Sequence, residues 1–299
     1  MFRLRIKAVP RTTRRCFAAV AALLAVTGSV VLAHTTGRDR SADVPRSLTV
    51  ATWNMCGVRQ WHCAATGGPD VKEAELKRLA TRSGVRVFLL QETCAGDLEK
   101  VRVALPGSWH TAFRAYAWRD AAERTSTVRC AAAGQRAAGV ALLSAYRLSG
   151  ISSVASEQPS AGLQRGILCA TVATHRIRVC TAHLSRPGDD LAHPHWELRD
   201  DQLKALTAAA TDRRTVFGGD LNVDPPAAHN PASWVWPSGP YGAYRECDQT
   251  SASSRSGRIT HRSRHKIDYL FTGLPRAGCS VRDTGASDHY ALLVRVRTG

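Results

Sequence analysis

Short apolar runs that end in an amide, a carboxylate or an imidazole recur along this chain, and they restrict its fold more than any other feature. Leu48–Asn54 is rich in β-branched and aromatic residues and ends at Asn54. Val85–Gln91 is largely apolar, as expected for a strand buried on both faces, and Glu92 follows it. Converging strand ends place such polar groups in one cleft on a rigid scaffold. The pattern therefore predicts a sheet protein with a polar site at one edge.

Helical stretches alternate with the predicted strands. Residues 70–82 and 194–210 carry apolar side chains at near-helical spacing, and Pro194 lies near the start of the second stretch. Residues 223–243 are rich in Pro, Ala, Gly and Trp and are expected to form a long loop. Further strands are predicted at 139–144, 165–174, 178–184, 215–219, 267–271 and 290–296. This layout fits an α/β protein in which two sheets pack face to face with helices outside.

The first 33 residues are typical of a secretory signal peptide. Six Arg and Lys residues without an acid precede an apolar run, Cys16–Ala33, that ends in small residues suited to cleavage. Residues 13–17 also resemble a twin-arginine signal. An uncleaved membrane anchor is the alternative, although about 18 residues is the lower limit for spanning a bilayer. We expect a signal peptide at 1–33, a disordered lead-in at 34–47, one folded domain at 48–299, and a secreted protein.

The cysteine count favours an exported protein with disulfides. Nine Cys are present, and eight lie outside the signal segment, an even number. Eight cysteines allow 105 connectivities, so proximity in the sequence is the only basis for pairing them. A zinc site is the alternative, but there is no Cys-x-x-Cys pair. Proximity predicts the bonds Cys56–Cys63, Cys94–Cys130, Cys169–Cys180 and Cys247–Cys279.

The chain is strongly basic. Its net charge is +17, and loss of the six cations of the signal segment leaves +11. A positive surface attracts polyanions, so nucleic acid or an anionic membrane surface is the expected partner. The alternative is that the charge is a general property of basic secreted proteins. The cationic segment 255–266, which leads directly into Asp268, is expected either to follow a phosphate backbone or to be a solvated surface loop.

Six short motifs with polar residues at strand ends span 48–299. Taken singly, these polar residues have ordinary explanations: Asn54 as a turn former, Glu92 as a helix cap and His183 as a core histidine. The motifs are Thr52-Trp53-Asn54, Leu90-Gln91-Glu92, Thr181-Ala182-His183-Leu184, Gly218-Gly219-Asp220-Leu221-Asn222, Lys266-Ile267-Asp268-Tyr269 and Ser287-Asp288-His289. In this order they resemble the endonuclease/exonuclease/phosphatase superfamily. The resemblance implies a four-layer α/β sandwich with two mixed β-sheets and a single catalytic domain at 48–299.

The resemblance also implies roles for the motif residues. Asn54, Glu92 and Asp288 would hold a divalent metal, Mg²⁺ or else Mn²⁺ or Ca²⁺, since oxygen donors suit these ions. His289 would activate water while Asp268 orients it, as an imidazole that titrates near neutrality can do. The remaining catalytic residues are His183, Asp220 and Asn222, and Arg165 is expected to contact the substrate phosphate.

The partner of His183 cannot be aligned to the family. Tyr116, Glu123 and Gln135 are the candidates. Two interpretations of Trp234–Trp236 are open: a wedge that inserts into lipid or between bases, or a buried loop segment. The buried loop segment is favoured.

Two substrate classes follow from the resemblance. A secreted metal-dependent endonuclease that hydrolyses DNA or RNA is favoured, because a zwitterionic lipid headgroup does not need so much positive charge. The alternative is a sphingomyelinase-like hydrolase of phospholipids or sugar phosphates. A binding module without activity would lack part of the His and carboxylate set, yet the set is complete. We expect a monomer.

Overall fold

Successive residues of each central strand point to two different cores, which is why these strands are apolar on both faces. In β1 (Ser47–Asn54), Leu48 and Val50 lie in one core, whereas Ala51 and Trp53 lie in another. The computed structural model describes residues 45–227 and 229–299. The predicted signal peptide at 1–33 and most of the predicted lead-in at 34–47 lie outside the described residues.

Strands outnumber helices in the described part of the chain. After β1 the strands are β2 (Val87–Cys94), β3 (His110–Ala115), β4 (Ala117–Arg119), β5 (Thr125–Thr127), β6 (Ala138–Ser144), β7 (Leu148–Val154), β8 (Gly162–Gln164), β9 (Gly166–Val172), β10 (Ile177–His183), β11 (Thr215–Asp220), β12 (Arg245–Glu246), β13 (Asp268–Thr272), β14 (Arg276–Arg282) and β15 (Ala291–Arg297). The helices are α1 (Pro69–Arg82), α2 (Ala95–Ala104), α3 (Arg199–Ala209) and α4 (Gly239–Ala243). Short 3₁₀ turns lie at Arg59–Trp61, Cys63–Thr66 and Ser233–Val235.

Two six-stranded mixed sheets form the centre of the protein. The first has the order β14-β15-β1-β2-β6-β3, and the second has the order β12-β13-β11-β10-β9-β7. In the first, β1 runs parallel to β2 and antiparallel to β15; in the second, β10 runs parallel to β11 and antiparallel to β9. Strands β5, β4 and β8 form a small third sheet, and in the described part of the chain they pair with no strand of the other two sheets.

The cores arrange these elements in four layers. Between the sheets, Val50 and Leu142 of the first share a core with Val179 and Leu270 of the second. On the outer face of the first sheet, side chains of α1 and α2 pack on Trp53 and Phe88. On the outer face of the second, α3 and α4 pack on the strands through a cluster that contains Phe217 and Phe271. The expected α/β four-layer sandwich is confirmed.

Two sequence predictions need correction here. The helix expected at 194–210 begins only at Arg199, because the Glu197 carboxylate accepts the Arg199 backbone N–H at 2.9 Å and its side chain pairs with the Arg199 guanidinium. The loop expected at 223–243 contains the 3₁₀ turn at 233–235 and α4. Strands β3, β4, β5, β7, β8, β12 and β14 and helix α2 were not predicted.

All four predicted disulfides are confirmed. The bonds join Cys56–Cys63, Cys94–Cys130, Cys169–Cys180 and Cys247–Cys279. Cys169 and Cys180 face each other on the paired strands β9 and β10, so their link is a cross-strand one. Among the described residues, no helix is long and apolar enough to cross a membrane.

Candidate active site

The strand pairing brings polar residues of both sheets to the same end of the sandwich. In the second sheet, His183 is paired with Asp220, and Asp220 is paired with Asp268. Asn54 ends β1 in the first sheet, and its amide nitrogen donates to the Asp220 carboxylate of the second at 3.0 Å. The apolar layer between the sheets therefore gives way to a polar cluster at this edge. The predicted site residues that line one cavity of about 350 Å³ are Glu92, Arg165, His183, Asp220, Asn222, Asp288 and His289.

The Gly-Gly pair before Asp220 is required by the close approach of neighbouring strands. A Cβ at Gly219 would lie 1.9 Å from the carbonyl oxygen of Ala182 on β10. A Cβ at Gly218 would lie equally close to the carbonyl oxygen of Tyr269 on β13. Both glycines have positive φ, which side-chain-bearing residues rarely adopt. The pair thus delivers the Asp220 carboxylate between the ends of β10 and β13.

Asp220 is the centre of the hydrogen-bond network. Its Oδ2 accepts from Asn54 and lies 3.3 Å from Nε2 of His183 and 3.7 Å from Nε2 of His289. Burial alone would raise its pKa, but the charges of His289 and His183 and the hydrogen bonds hold the pKa far below its usual range. Asp220 is therefore an anion. Its Oδ1 accepts the Asn222 backbone N–H at 3.0 Å, while the Asn222 amide donates to the Leu184 carbonyl at 2.9 Å.

His289 is held against Asp268 in a fixed orientation. Nδ1 donates to the fully buried Asp268 carboxylate at 2.9 Å, which leaves Nε2 facing the cavity. The backbone around it is fixed as well, because Trp53 donates to its carbonyl at 3.2 Å and Ser287 accepts its N–H at 3.0 Å. Burial lowers the pKa of His289, but Asp268 and Asp220 outweigh burial and raise it to about 10. The two carboxylates therefore favour the imidazolium form.

Glu92 lies within β2 rather than after it, at an irregular point of the strand. The pairing of β2 with β6 shifts register between Leu90 and Thr93, and Glu92 has φ +49°. This kink turns its carboxylate into the cavity. A Cβ at Gly57 would lie 2.5 Å from the Glu92 carbonyl oxygen, so the neighbouring chain approaches closely here as well. Burial raises the pKa of Glu92, and the charges of Arg165 and His289 only partly oppose it.

Glu92 and Asp288 both line the cavity, and carboxylate oxygens are the donors that a hard divalent cation prefers. Asp288 keeps a low pKa, about 2; burial would raise it, but His261 and His289 lower it. Glu92 is a half-buried carboxylate whose one side-chain hydrogen bond from nitrogen, at 3.2 Å, comes from Asn54. A cation would offset the cost of burying this charge. Cys56 and Cys63 lie beside Glu92 but are joined in a disulfide, so they offer no thiolate.

Asn54 is placed differently from the sequence expectation. Its Oδ1 accepts the backbone N–H of Cys56 at 3.0 Å, so the amide nitrogen, not the oxygen, faces Glu92 and Asp220. In this arrangement Asn54 separates two carboxylates by donating to both. Coordination of a metal through its oxygen requires the amide to be turned over.

Tyr116 is the partner of His183 that the sequence left open. Its buried hydroxyl accepts the Glu92 backbone N–H at 3.0 Å and lies 2.8 Å from Nδ1 of His183. The Asp220 carboxylate, which can only accept, favours a proton on Nε2 of His183, with Nδ1 accepting from Tyr116. The Arg165 guanidinium, which can only donate, contacts both ring nitrogens. The other two candidates lie elsewhere: Gln135 donates to Asp97, and Glu123 is exposed.

Arg165 is buried against His183 at the cavity wall. Its guanidinium contacts the imidazole and pairs with Asp189 at 3.2 Å. Burial and the Arg165 charge lower the pKa of His183 to about 4. In the free site His183 is therefore neutral and acts as a hydrogen-bond donor through Nε2. A bound anion at Arg165 would raise this pKa, because negative charge favours the imidazolium.

The cationic segment before Asp268 is only partly available to a substrate. Lys266, grouped with it from the sequence, is buried and pairs with Glu246 at 3.2 Å, and Arg258 pairs with Asp248. Arg262 and Arg264 are exposed, and the Arg262 backbone donates to the Asp288 carbonyl at 2.8 Å. The free positive charge thus lies next to the cavity at 262–264, whereas the buried lysine is structural.

Lys72 and the Trp234–Trp236 segment lie outside the predicted catalytic set. Lys72 is a buried amine of α1 that donates to the Ala286 carbonyl at 2.7 Å, next to the Ser287-Asp288-His289 motif. Burial lowers its pKa to about 8, opposed by the charges of Asp288 and Glu92. Its position among helix residues gave no signal in the sequence.

In the Trp234–Trp236 segment, Val235 and Trp236 are buried, as favoured from the sequence, but Trp234 is exposed.

Comparison with known proteins identifies one family model and several solved structures that share the fold. The model of the Endonuclease/Exonuclease/phosphatase family matches residues 51–289. A comparison with curated proteins finds no match. Among solved structures, an endonuclease/exonuclease/phosphatase from Beutenbergia cavernae DSM 12333 superimposes with a TM-score of 0.60 at 21% identity, covering 85% of this chain and 72% of that one.

Two further solved structures share the fold. A 3′-5′ exonuclease from Neisseria meningitidis has a TM-score of 0.57 at 14% identity over 84% of this chain and 100% of its own. D. rerio TDP2, in a complex with a single-strand DNA product, has a TM-score of 0.56 at 15% identity over 85% of this chain and 100% of its own. At these identities the likeness is one of fold.

Proposed function

The chain belongs to the endonuclease/exonuclease/phosphatase family, and on that premise we propose that it is a divalent-metal-dependent phosphodiesterase that cleaves nucleic acid. The observation that carries the proposal is the meeting of two carboxylate–imidazole pairs at one cavity: Asp268 with His289, and Asp220 with His183. Hydrolysis of a phosphodiester requires charge neutralisation, a water nucleophile and a proton for the leaving oxygen. The cavity holds groups for each need.

His289 and Asp268 act on the attacking water. Nε2 of His289 faces the cavity and takes the proton, and Asp268 fixes the ring and stabilises the imidazolium. The charges of Asp268 and Asp220 raise the pKa of His289 most, and Asp288 adds to them. A divalent cation held at Asp288 would offset part of this negative charge and lower the pKa of His289 toward that of a base.

Arg165, His183 and Asn222 hold the phosphate. Arg165 supplies a buried cation, and neutral His183 donates from Nε2, with Tyr116 orienting its ring. As phosphate binding raises the pKa of His183, the same imidazole becomes able to protonate the leaving oxygen.

A divalent cation fits beside these residues. Family enzymes of this type generally depend on divalent metals, and Glu92 and Asp288, with Asn54, would hold Mg²⁺, Mn²⁺ or Ca²⁺. When bound, the ion polarises phosphoryl oxygens and stabilises negative charge in the transition state.

Nucleic acid is the proposed substrate because arginine side chains are exposed at and near the cavity. Arg186 lines the cavity and is exposed while its Nε pairs with Asp189, and Arg262 and Arg264 are exposed in the segment whose His261, Ser263 and His265 line the cavity. Several exposed cations near a scissile phosphate match a polymer with a charge at every residue better than a single zwitterionic headgroup. The four disulfides are compatible with a secreted protein, the proposed location.

The test compares substrate classes with purified protein lacking residues 1–33. Plasmid DNA, single-stranded RNA and sphingomyelin vesicles are incubated with Mg²⁺ or EDTA. We expect Mg²⁺-dependent cleavage of nucleic acid. Glu92→Gln should abolish the Mg²⁺ response, and His289→Ala should lower the rate by roughly 10²–10⁴-fold. His110→Ala, a histidine on β3 outside the cavity, is the control. Cleavage of sphingomyelin alone would refute the nucleic-acid assignment.

A further inference from the structure

A second cavity of about 330 Å³ opens beside the active-site cavity and shares a wall with it. The shared residues are Trp61, His62, Glu92, Arg165 and Arg186. A substrate whose phosphate lies at Arg165 therefore has direct access to this second space, which we call the side groove. No residue of the predicted catalytic set apart from Glu92 and Arg165 lines it.

Large apolar side chains gather in the side groove although they come from distant parts of the chain. Trp118 on β4 is 42% exposed, and Leu191 in the loop after β10 is 59% exposed. Leu163 of β8 and Trp61 of the 59–61 turn complete the apolar lining. Exposed apolar residues gathered in a concave site, with a few charged groups among them, are typical of ligand pockets.

The walls of the side groove are held in place without a ligand. The Cys56–Cys63 disulfide closes the loop that carries Trp61, and Trp61 packs against Tyr116 with ring centroids 5.7 Å apart. The opposite loop is fixed by Asp190, which accepts the Ser160 backbone N–H at 2.7 Å. A preformed pocket loses less freedom on binding than one that must be ordered.

The charges of the side groove select among ligands. Arg165 and Arg186 both reach it, and Asp189 is already paired with each of them, at 3.2 and 3.3 Å. The groove has two guanidinium groups and two carboxylates, but Asp189 is engaged by both arginines and Glu92 is assigned to the divalent cation. No carboxylate of the groove is thus left for a cationic group such as the trimethylammonium of a choline lipid. The lining favours an uncharged aromatic ring attached to a phosphate, because tryptophan stacks on the ring and arginine contacts the anion.

We propose that the side groove binds the nucleobase next to the scissile phosphate, with Trp118 and Trp61 against the ring and Arg186 on the adjoining phosphate. The assignment rests on the proposed function and specifies its substrate contact. With this contact the enzyme requires a base at one side of the cleaved bond. It does not distinguish one base from another, because every base has a π-face.

The experiment uses two single-stranded oligonucleotides of equal length and charge. One carries ordinary bases, and the other carries tetrahydrofuran abasic residues throughout. For the unmodified protein we expect kcat/KM to be roughly 10-fold or more higher on the base-containing strand. Trp118→Ala should remove most of that preference by raising KM on the base-containing strand alone. Trp234→Ala is the matched control: Trp234 is 66% exposed but lines neither cavity, so the preference should persist.

Each other outcome decides against the assignment. Equal cleavage of both strands by the unmodified protein overturns the base site and leaves the proposed function standing. The same holds if Trp118→Ala slows both strands equally. If neither strand is cut under any metal condition, both proposals fall. If Trp118→Ala weakens binding to sphingomyelin vesicles but not cleavage of the oligonucleotide, the groove faces a lipid and the base assignment is wrong.

Discussion

Replacement of Tyr116 by Phe tests the catalytic arrangement at a residue outside the six motifs. The hydroxyl serves two buried partners, the Glu92 backbone N–H at 3.0 Å and Nδ1 of His183 at 2.8 Å. A buried donor or acceptor left unpaired costs about 1–3 kcal/mol. The Glu92 N–H loses its partner, whereas Nδ1 of His183 keeps the Arg165 guanidinium at 3.0 Å, so the predicted loss in the free energy of unfolding is about 1–3 kcal/mol.

The same change should lower kcat more than it changes KM. Without Tyr116, Nδ1 of His183 keeps only the Arg165 guanidinium, and the ring loses the hydroxyl that orients it. Loss of a group that orients an active-site histidine typically costs about 10–100-fold in activity. The assay is initial rate against oligonucleotide concentration, with urea unfolding followed by circular dichroism on the same preparations.

Tyr244→Phe provides the matched control. Tyr244 is also buried, and its hydroxyl donates to the Ala210 carbonyl on the far side of the second sheet. This variant should lose stability while keeping its kcat. If Tyr116→Phe likewise keeps kcat, then Tyr116 is only structural and does not orient His183 for catalysis. If it also keeps its stability, the two hydrogen bonds do not contribute as described.

Three further predictions concern stability. Gly219→Ala should cost at least about 2 kcal/mol in thermal or urea unfolding, because φ is +137° and a Cβ would strike a carbonyl of β10; unchanged stability would refute the close approach. Removal of the Cys94–Cys130 bond should cost about 1 kcal/mol more than removal of Cys169–Cys180, since the closed segments span 36 and 11 residues; urea unfolding of Cys→Ala pairs measures the difference. Burial would raise the pKa of Asp190, but Ser160 and other hydrogen bonds lower it to about 2. Its stabilisation is thus present above the unfolded pKa of about 3.9 and is lost as pH falls toward 2. Asp190→Asn should make the free energy of unfolding depend less on pH in that window. An unaltered pH dependence would contradict the assignment.

The layered fold was predictable from the chain because its signals are local. Alternation along β1 sends Val50 and Trp53 to different cores, and that pattern can be read without a partner strand. Disulfide pairing by proximity also succeeded, since each bond joins neighbouring segments. The sequence prediction placed the start of α3 too early, near Pro194. The contact between the Glu197 carboxylate and the Arg199 backbone N–H competes with the signal of this proline.

Lys266 shows the limit of reading charge from sequence. It stands in a run of cations, yet its amine is buried between Glu246 and Asp248, and the chain separates it from Glu246 by 20 residues. The burial follows from the pairing of β12 with β13, a long-range contact with no local pattern.

The sequence by itself determined which groups gather at the site, because strand-end residues such as Asn54, His183 and Asp220 are placed by strand periodicity and by the glycines that precede Asp220. Only the tertiary structure decided what those groups contact. Tyr116 reaches His183 across 67 residues, and the side groove joins Trp61, Trp118 and Leu191 from three segments. The physical reason is that such contacts depend on how two sheets and their loops pack on one another, and local periodicity carries no information about that packing.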